Sequence, residues 1–140
     1  MCSSDLILPI TPKEDSKAAI LEAAEKLAAE LRAVSFHGAP LGVEVDTRDL
    51  GGGVKTWEHI KKGVPIRIEI GPRDLAQGTA AVARRDRAHK EKEFLPLAEI
   101  PARLAPMLDE IQSTLLRRAT EYRDAHTRRI DSKEIGRAHV

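Results

Sequence analysis

Hydrophobic and polar positions along this chain switch between two periods, and each switch marks an element. Ile7-Leu8-Pro9-Ile10 is a short apolar strand. Over residues 16–33, Ile20, Ala24, Leu27 and Leu31 recur at helical spacing and predict an amphipathic helix, with Asp15 or Ser16 as its cap. Val43-Glu44-Val45 alternates as a second strand and runs into Asp46-Thr47-Arg48-Asp49, after which Gly51-Gly52-Gly53 reads as a flexible loop. Residues 55–62 form a short helix stopped by Gly63. In the third strand Ile66, Ile68 and Ile70 alternate with Arg67 and Glu69, so one face is core and the other displays opposite charges. Residues 79–83 and 93–97 supply two more strands. Leu104, Leu108, Ile111, Leu115 and Tyr122 then predict a long helix from about residue 100 to 125, with Pro101 in its first turn and Pro106 marking a break or kink.

Strands alternating with helices, closed by a long helix, indicate an α/β domain whose mixed sheet is covered by helices. There is no internal repeat and no low-complexity linker. With 140 residues, 41% hydrophobic and 32% charged, the chain suffices for one globular domain with a real core. Aromatic residues are only 3%, so Ala, Leu, Ile and Val must fill that core. No apolar stretch approaches the roughly 20 residues needed to cross a bilayer, and no basic leader precedes an apolar block. A soluble, cytoplasmic protein without a membrane partner is expected.

The net charge of +1 argues at first against a nucleic-acid partner, but the sign is unevenly distributed. Residues 1–45 carry 4 Lys/Arg against 7 Asp/Glu, residues 46–92 carry 11 against 7, and residues 93–140 carry 8 against 8. A local positive excess in the middle third is the electrostatic footprint that phosphate would require; a solvated surface would look the same.

The two ends stand apart. Met1-Cys2-Ser3-Ser4-Asp5-Leu6 and Ile135-Gly136-Arg137-Ala138-His139-Val140 both match, in frame, the translation of a common short-read sequencing adapter. Residues 1–6 and 135–140 are therefore read as non-native tails, set aside as a cloning scar would be, and residues 7–134 as the domain with the start of a C-terminal extension. Outside Cys2 the chain has no cysteine, which excludes disulfides and thiolate metal sites from that segment.

The candidate chemistry is sparse. His37, His89 and His126 lack metal-ligand spacing or a paired nucleophile and read as surface residues, so neither a catalytic group nor a metal site is assigned. Gly71-Pro72-Arg73-Asp74 shapes a turn, with Asp74 able to bond back to nearby amides. Arg84-Arg85-Asp86-Arg87 is a basic cluster at a strand end, suited to phosphate or simply solvated. Trp57, beside the glycine loop, either anchors the short helix to the core or stacks on a base; the first reading is preferred.

Three runs carry a resemblance: Lys62-Gly63-Val64-Pro65-Ile66-Arg67-Ile68-Glu69-Ile70-Gly71-Pro72-Arg73-Asp74, then Val82-Ala83-Arg84-Arg85-Asp86, then residues 122–131. Together they resemble the C-terminal anticodon-binding domain of the prolyl-tRNA synthetases, class II enzymes, in their archaeal/eukaryotic-like group. The resemblance implies a five-stranded mixed sheet with about three helices and the anticodon loop of proline tRNA as partner. It further implies a homodimeric, ATP-dependent proline–tRNA ligase as parent. The ATP and Mg of that parent would belong to a separate catalytic domain, so this segment would hold no cofactor and would be inactive alone. The group also has a further C-terminal extension, sometimes zinc-binding.

Proline codons begin with two cytosines, so every proline anticodon ends in two guanines. A guanine offers N7 and O6 to Arg or Lys, and N1–H and N2–H₂ to Asp or Glu, while loop bases can be splayed out and stacked on an aromatic or a cation. On matching positions the resemblance assigns Arg48, Lys55 and Lys62 to bases or loop backbone. Arg67 and Glu69 lie on the charged face of the third strand, where an ordinary ion pair is the alternative. Asp46, Trp57, Glu58 and Arg73 complete the candidate anticodon-binding set. His59 replaces an aromatic residue common in relatives, and Gly52 a frequent proline. The rival readings are a threonyl-, glycyl- or histidyl-type anticodon domain, or a stand-alone α/β interaction module without tRNA binding.

Overall fold

A computed structural model describes residues 4–9 and 14–130. Its elements are β1 (Ser4–Pro9), α1 (Glu14–Arg32), β2 (Ser35–Phe36), β3 (Ala39–Pro40), β4 (Gly42–Val45), α2 (Gly52–Lys62), β5 (Ile66–Ile70), α3 (Pro72–Gln77), β6 (Thr79–Arg84), β7 (Lys92–Pro96) and α4 (Ile100–His126). The α/β class follows as expected. The main sheet runs β4-β1-β5-β6-β7, with β1 parallel to both β4 and β5 and the last two pairings antiparallel.

From β1 the chain crosses through α1 to β4 on one side, then returns through α2 to β5 on the other. Crossovers between parallel strands are right-handed, so two that travel in opposite directions put their helices on opposite faces of the sheet. That rule decides where the site can be. One face is closed by α1 and α4, and here lies the core: Ile20, Leu27 and Leu31 from α1, Leu104, Leu108 and Ile111 from α4, and Ile66, Ile68, Ile70, Val82 and Leu95 from the strands. The other face has only α2 above it, so no helix lies over β6 and β7 there, although Ala81 and Ala83 of β6 are themselves buried.

Several expectations are corrected. There are four helices among the described residues rather than about three, and beside the main sheet β2 and β3 form a separate two-stranded hairpin that was not expected. The hairpin turns through His37 and Gly38 with φ of 50° and 80°, the positive pair that a two-residue loop of matching twist demands. Its strands are too short for a periodic signal. The fourth helix, α3, occupies the run read as a turn: Pro72 suits a first helical position, and Asp74 Oδ2 accepts the Gly71 N–H at 3.0 Å, closing the start.

The glycine triplet is not a loop throughout, because α2 begins at Gly52 with Gly51 as its cap residue. Gly63 does end that helix, in a left-handed conformation with φ 74°; the Val64 N–H bonds back to His59 O at 3.2 Å. Pro106 does not break α4, since Leu104, Met107, Leu108 and Ile111 on both sides of it are buried and tertiary packing outweighs one lost backbone bond. Tyr122 is not on a core-facing stripe: the buried stripe of α4 runs through Ile100, Leu104, Met107, Leu108 and Ile111, and Leu116 and Tyr122 are exposed beyond it.

The first strand starts earlier than expected. Ser4, Asp5 and Leu6, set aside above, pair through their backbone with Gly42, Val43 and Glu44; Met1 to Ser3, residues 10–13 and residues 131–140 lie outside the described residues. Helix α1 begins at Glu14, which places Asp15 and Ser16 inside its first turn rather than at its cap.

Candidate nucleic-acid interface

Along β5 the alternation of the strand sends Ile66, Ile68 and Ile70 to the core and Arg67 and Glu69 to the face beneath α2. Opposite them on β6 stand Ala83 and Ala81, too small to cover the two charges. On β7, Lys92 pairs with Ala83 and Phe94 with Ala81, so both belong to this face. The outcome is a groove walled by Trp57, Thr56 and Ile60 of α2 on one side and by His89, Lys90 and Lys92 on the other, with Glu69 at its floor.

Trp57 is 51% exposed and does not anchor α2 to the core. Its indole lies 5.0 Å from the His89 ring, tilted by 43°. Glu69 is only 5% exposed; its Oε1 accepts from Thr56 Oγ1 at 3.3 Å and its Oε2 from Lys92 Nζ. A carboxylate has about four lone-pair sites, so these two donors leave acceptor capacity unused. Phe94, 64% exposed, continues the apolar surface toward the sheet edge.

A second cluster follows β4. Asp46 is buried, and its carboxylate takes a fork from Arg48, Nε to Oδ1 at 2.9 Å and Nη2 to Oδ2 at 2.7 Å, with His59 Nε2 2.9 Å from Oδ2. Lys55 Nζ donates to Asp46 O at 3.1 Å, and Arg48 also reaches Glu58 at 2.7 Å. Hydrogen bonding from Arg48 overcomes the burial and, together with His59, holds the Asp46 carboxyl far below the usual carboxylate range. The Arg48 guanidinium is correspondingly raised, first by Asp46 and then by Glu58.

This cluster yields a stability prediction. A depressed carboxyl contributes stability that is complete above the ordinary aspartate value of about 4 and is lost as pH falls below it. Asp46→Asn is expected to cost about 2 kcal/mol at pH 7, the order of two charge-assisted hydrogen bonds. Because the folded carboxyl is held far below the ordinary aspartate value, the gap in urea midpoints should narrow steadily as pH falls from about 4 toward about 2, whereas an equal gap at about pH 7 and about pH 2 would show that Asp46 does not act through its charge.

Of the sequence-predicted residues, the structure therefore brings Trp57 and Glu69 into one groove. It ties Asp46, Arg48, Lys55 and Glu58 into a second cluster, beside which Lys62 lines a shallow polar pocket with Arg48 and His59. Arg67 lies under α2, 2% exposed. Arg73 is exposed in the first turn of α3 and lines neither pocket. Asp46 and Lys55 face inward and set the position of Arg48 and the loop. Thr56, His89, Lys90, Lys92 and Phe94 were missed. The alternation of Lys92 and Phe94 along β7 was visible, but which face stays open depends on crossover geometry.

Residues 6–106 match the family described as Anticodon binding domain. The chain belongs to that family. It is 55% identical over 123 residues to a proline–tRNA ligase of Akkermansia muciniphila, covering 88% of this chain and 24% of that protein. Similar matches are a proline–tRNA ligase of Protochlamydia amoebophila, 47% over 121 residues (86% and 24%), and proline–tRNA ligase 2 of Anaeromyxobacter dehalogenans, 45% over 129 residues (92% and 25%). This anticodon-binding chain thus spans about a quarter of the length of the curated relatives it matches. Those relatives are bacterial, and the expected archaeal/eukaryotic-like grouping finds no support in them. Among the described residues of this anticodon-binding domain no helix is long and apolar enough to cross a membrane.

Proposed function

We propose that this chain reads the anticodon loop of proline tRNA as the anticodon-binding part of a proline–tRNA ligase, working in cytoplasmic translation. The observation that carries the reading is the groove: a buried carboxylate with spare acceptor capacity under an exposed tryptophan, flanked by two lysines. A guanine stacked on Trp57 can present N1–H and N2–H₂ to Glu69 while Lys90 and Lys92 approach the loop phosphates. Arg48, held as a fork by Asp46 and Glu58, and Lys62 are assigned to the second guanine or its backbone. The family match and the names of the relatives support tRNA as the ligand and proline as the identity. Dimerisation, and the ATP-dependent chemistry, are assigned to the larger parent.

The test is direct binding of the chain to a proline anticodon stem-loop and to loops with either invariant guanine replaced. Each replacement is expected to weaken binding by about 1–3 kcal/mol, the value of one good base-edge contact. Equal affinity for all loops would remove base reading, and preference for a threonine loop would assign the domain to the threonyl type.

A further inference from the structure

We propose that the pocket where β5 begins and β6 ends, lined by Gly63, Arg67, Arg84, Arg85, Arg87 and His89, is a phosphate site that takes one phosphodiester of the bound RNA. The inference rests on the proposed function for its ligand, but on different residues. Arg67 is the key. It is among the largest fully buried side chains, and its Nε has no hydrogen-bond partner. The carboxylate that acts on its charge, Glu69, already accepts from Thr56 and Lys92. Burial lowers the affinity of the guanidinium for its proton, yet an arginine remains charged. A buried cation with an idle donor is costly unless an anion completes it.

The surroundings favour an anion of tetrahedral, multiply accepting chemistry. Arg84 is already satisfied, forked to Asp86 and bonded to Glu110, so it shapes the wall rather than supplying free charge. The cations that remain are Arg67, Arg85 and Arg87. Arg85 is anchored by its backbone, whose N–H donates to Pro65 O at 2.9 Å. Its guanidinium lies over Gly63, where a Cβ would meet it at 3.9 Å. Guanidinium forks converging from two strand ends suit a phosphate better than a single carboxylate. Ile60 and His89 line both this pocket and the Trp57–Glu69 groove. A base in the groove and a neighbouring phosphate in the pocket would therefore sit on either side of one shared wall.

The experiment measures binding of the whole chain to the proline stem-loop across a salt series, for wild type, Arg85→Ala and Arg67→Lys. A set of loops with one neutral methylphosphonate at each position in turn, and inorganic phosphate as competitor, complete it. Arg85→Ala, an exposed substitution that leaves folding intact, is expected to weaken every loop about tenfold whatever its bases. It should also reduce the salt slope by about 0.7–1. Its effect should vanish on the single loop whose contacted phosphate has been neutralised. Arg67→Lys, which keeps the charge and loses the planar fork, should show the same pattern.

An unchanged salt slope in both variants, or an Arg85 effect equal across all methylphosphonate positions, overturns the site. Efficient competition by inorganic phosphate against wild type but not Arg85→Ala would assign the pocket to free phosphate instead, overturning the RNA-backbone assignment. Loss of guanine preference in wild type with the Arg85 coupling intact would sink anticodon reading and leave this site standing.

Discussion

Arg84→Ala is expected to destabilise the fold by about 3–5 kcal/mol, the cost of stranding one partner of a buried ion pair. Arg84 gives Nε to Asp86 Oδ1 at 2.9 Å and Nη2 to Asp86 Oδ2 at 2.8 Å, and both side chains are nearly inaccessible. The third bond, from Nη1 to Glu110 Oε2 at 2.8 Å, ends on an exposed carboxylate and adds under about 1 kcal/mol. Burial opposes ionisation of Asp86, yet the fork from Arg84 keeps its carboxyl below the ordinary range. The pair also fastens the end of β6 to α4, because Arg118 Nη2 donates to Asp86 O at 2.7 Å.

Without Arg84 the Asp86 charge would remain in a site that no longer compensates it. Urea unfolding of the single variant should show the full loss. The double variant Arg84→Met/Asp86→Leu should recover most of it, since two apolar groups of similar volume leave nothing unpaired. A single variant that loses less than about 1 kcal/mol would mean that water or a neighbouring cation, such as Arg87, takes over.

If Glu69 reads a guanine as proposed, Glu69→Gln is expected to weaken binding of the proline stem-loop by about 1–3 kcal/mol, with the loss confined to loops that carry that guanine. The substitution keeps the shape and one acceptor oxygen for Thr56, but a neutral amide can accept only one of the two guanine donors and presents its own N–H₂ to the other. The ratio of affinities for guanine and replaced loops is the informative quantity. Lys92 loses its ion-pair partner in this variant, and any general loosening of β7 lowers both affinities together. A ratio equal to that of wild type would remove Glu69 from base reading and leave it as a cross-strand ion pair. Trp57→Ala in the same assay separates stacking from edge reading, because every base has a face to stack and the loss should be alike for all loops.

Much of this protein was legible in its sequence because the signals are local. Ile66, Ile68 and Ile70 fix which side of β5 is core, and no alternative register keeps all three buried. Gly63 ends α2 because a left-handed residue is needed there. The run from Lys62 to Asp74 carries the family, and with it the expectation of an RNA-reading surface. Conversely, α3 and the β2–β3 hairpin escaped notice because six residues make fewer than two helical turns and two residues only a single strand repeat, too little for either period to recur. Pro106 misled because one backbone bond is worth less than the burial of Leu104, Met107 and Leu108 around it.

The composition of the site was a property of the sequence; its grouping was not. Charge alternation alone marked Arg67 and Glu69 as facing away from the core, and that inference needs nothing beyond the two-residue period of a strand. What meets that face was decided by opposite crossovers that place α1 and α2 on different sides of the sheet and set no helix over β6 and β7 on the α2 side. Only that arrangement turns Trp57 outward over Glu69, brings His89, Lys92 and Phe94 beside it, and folds Asp46 and Lys55 inward as supports for Arg48. Periodicity is set by each strand or helix alone, whereas exposure and contact depend on which elements come to lie against each other.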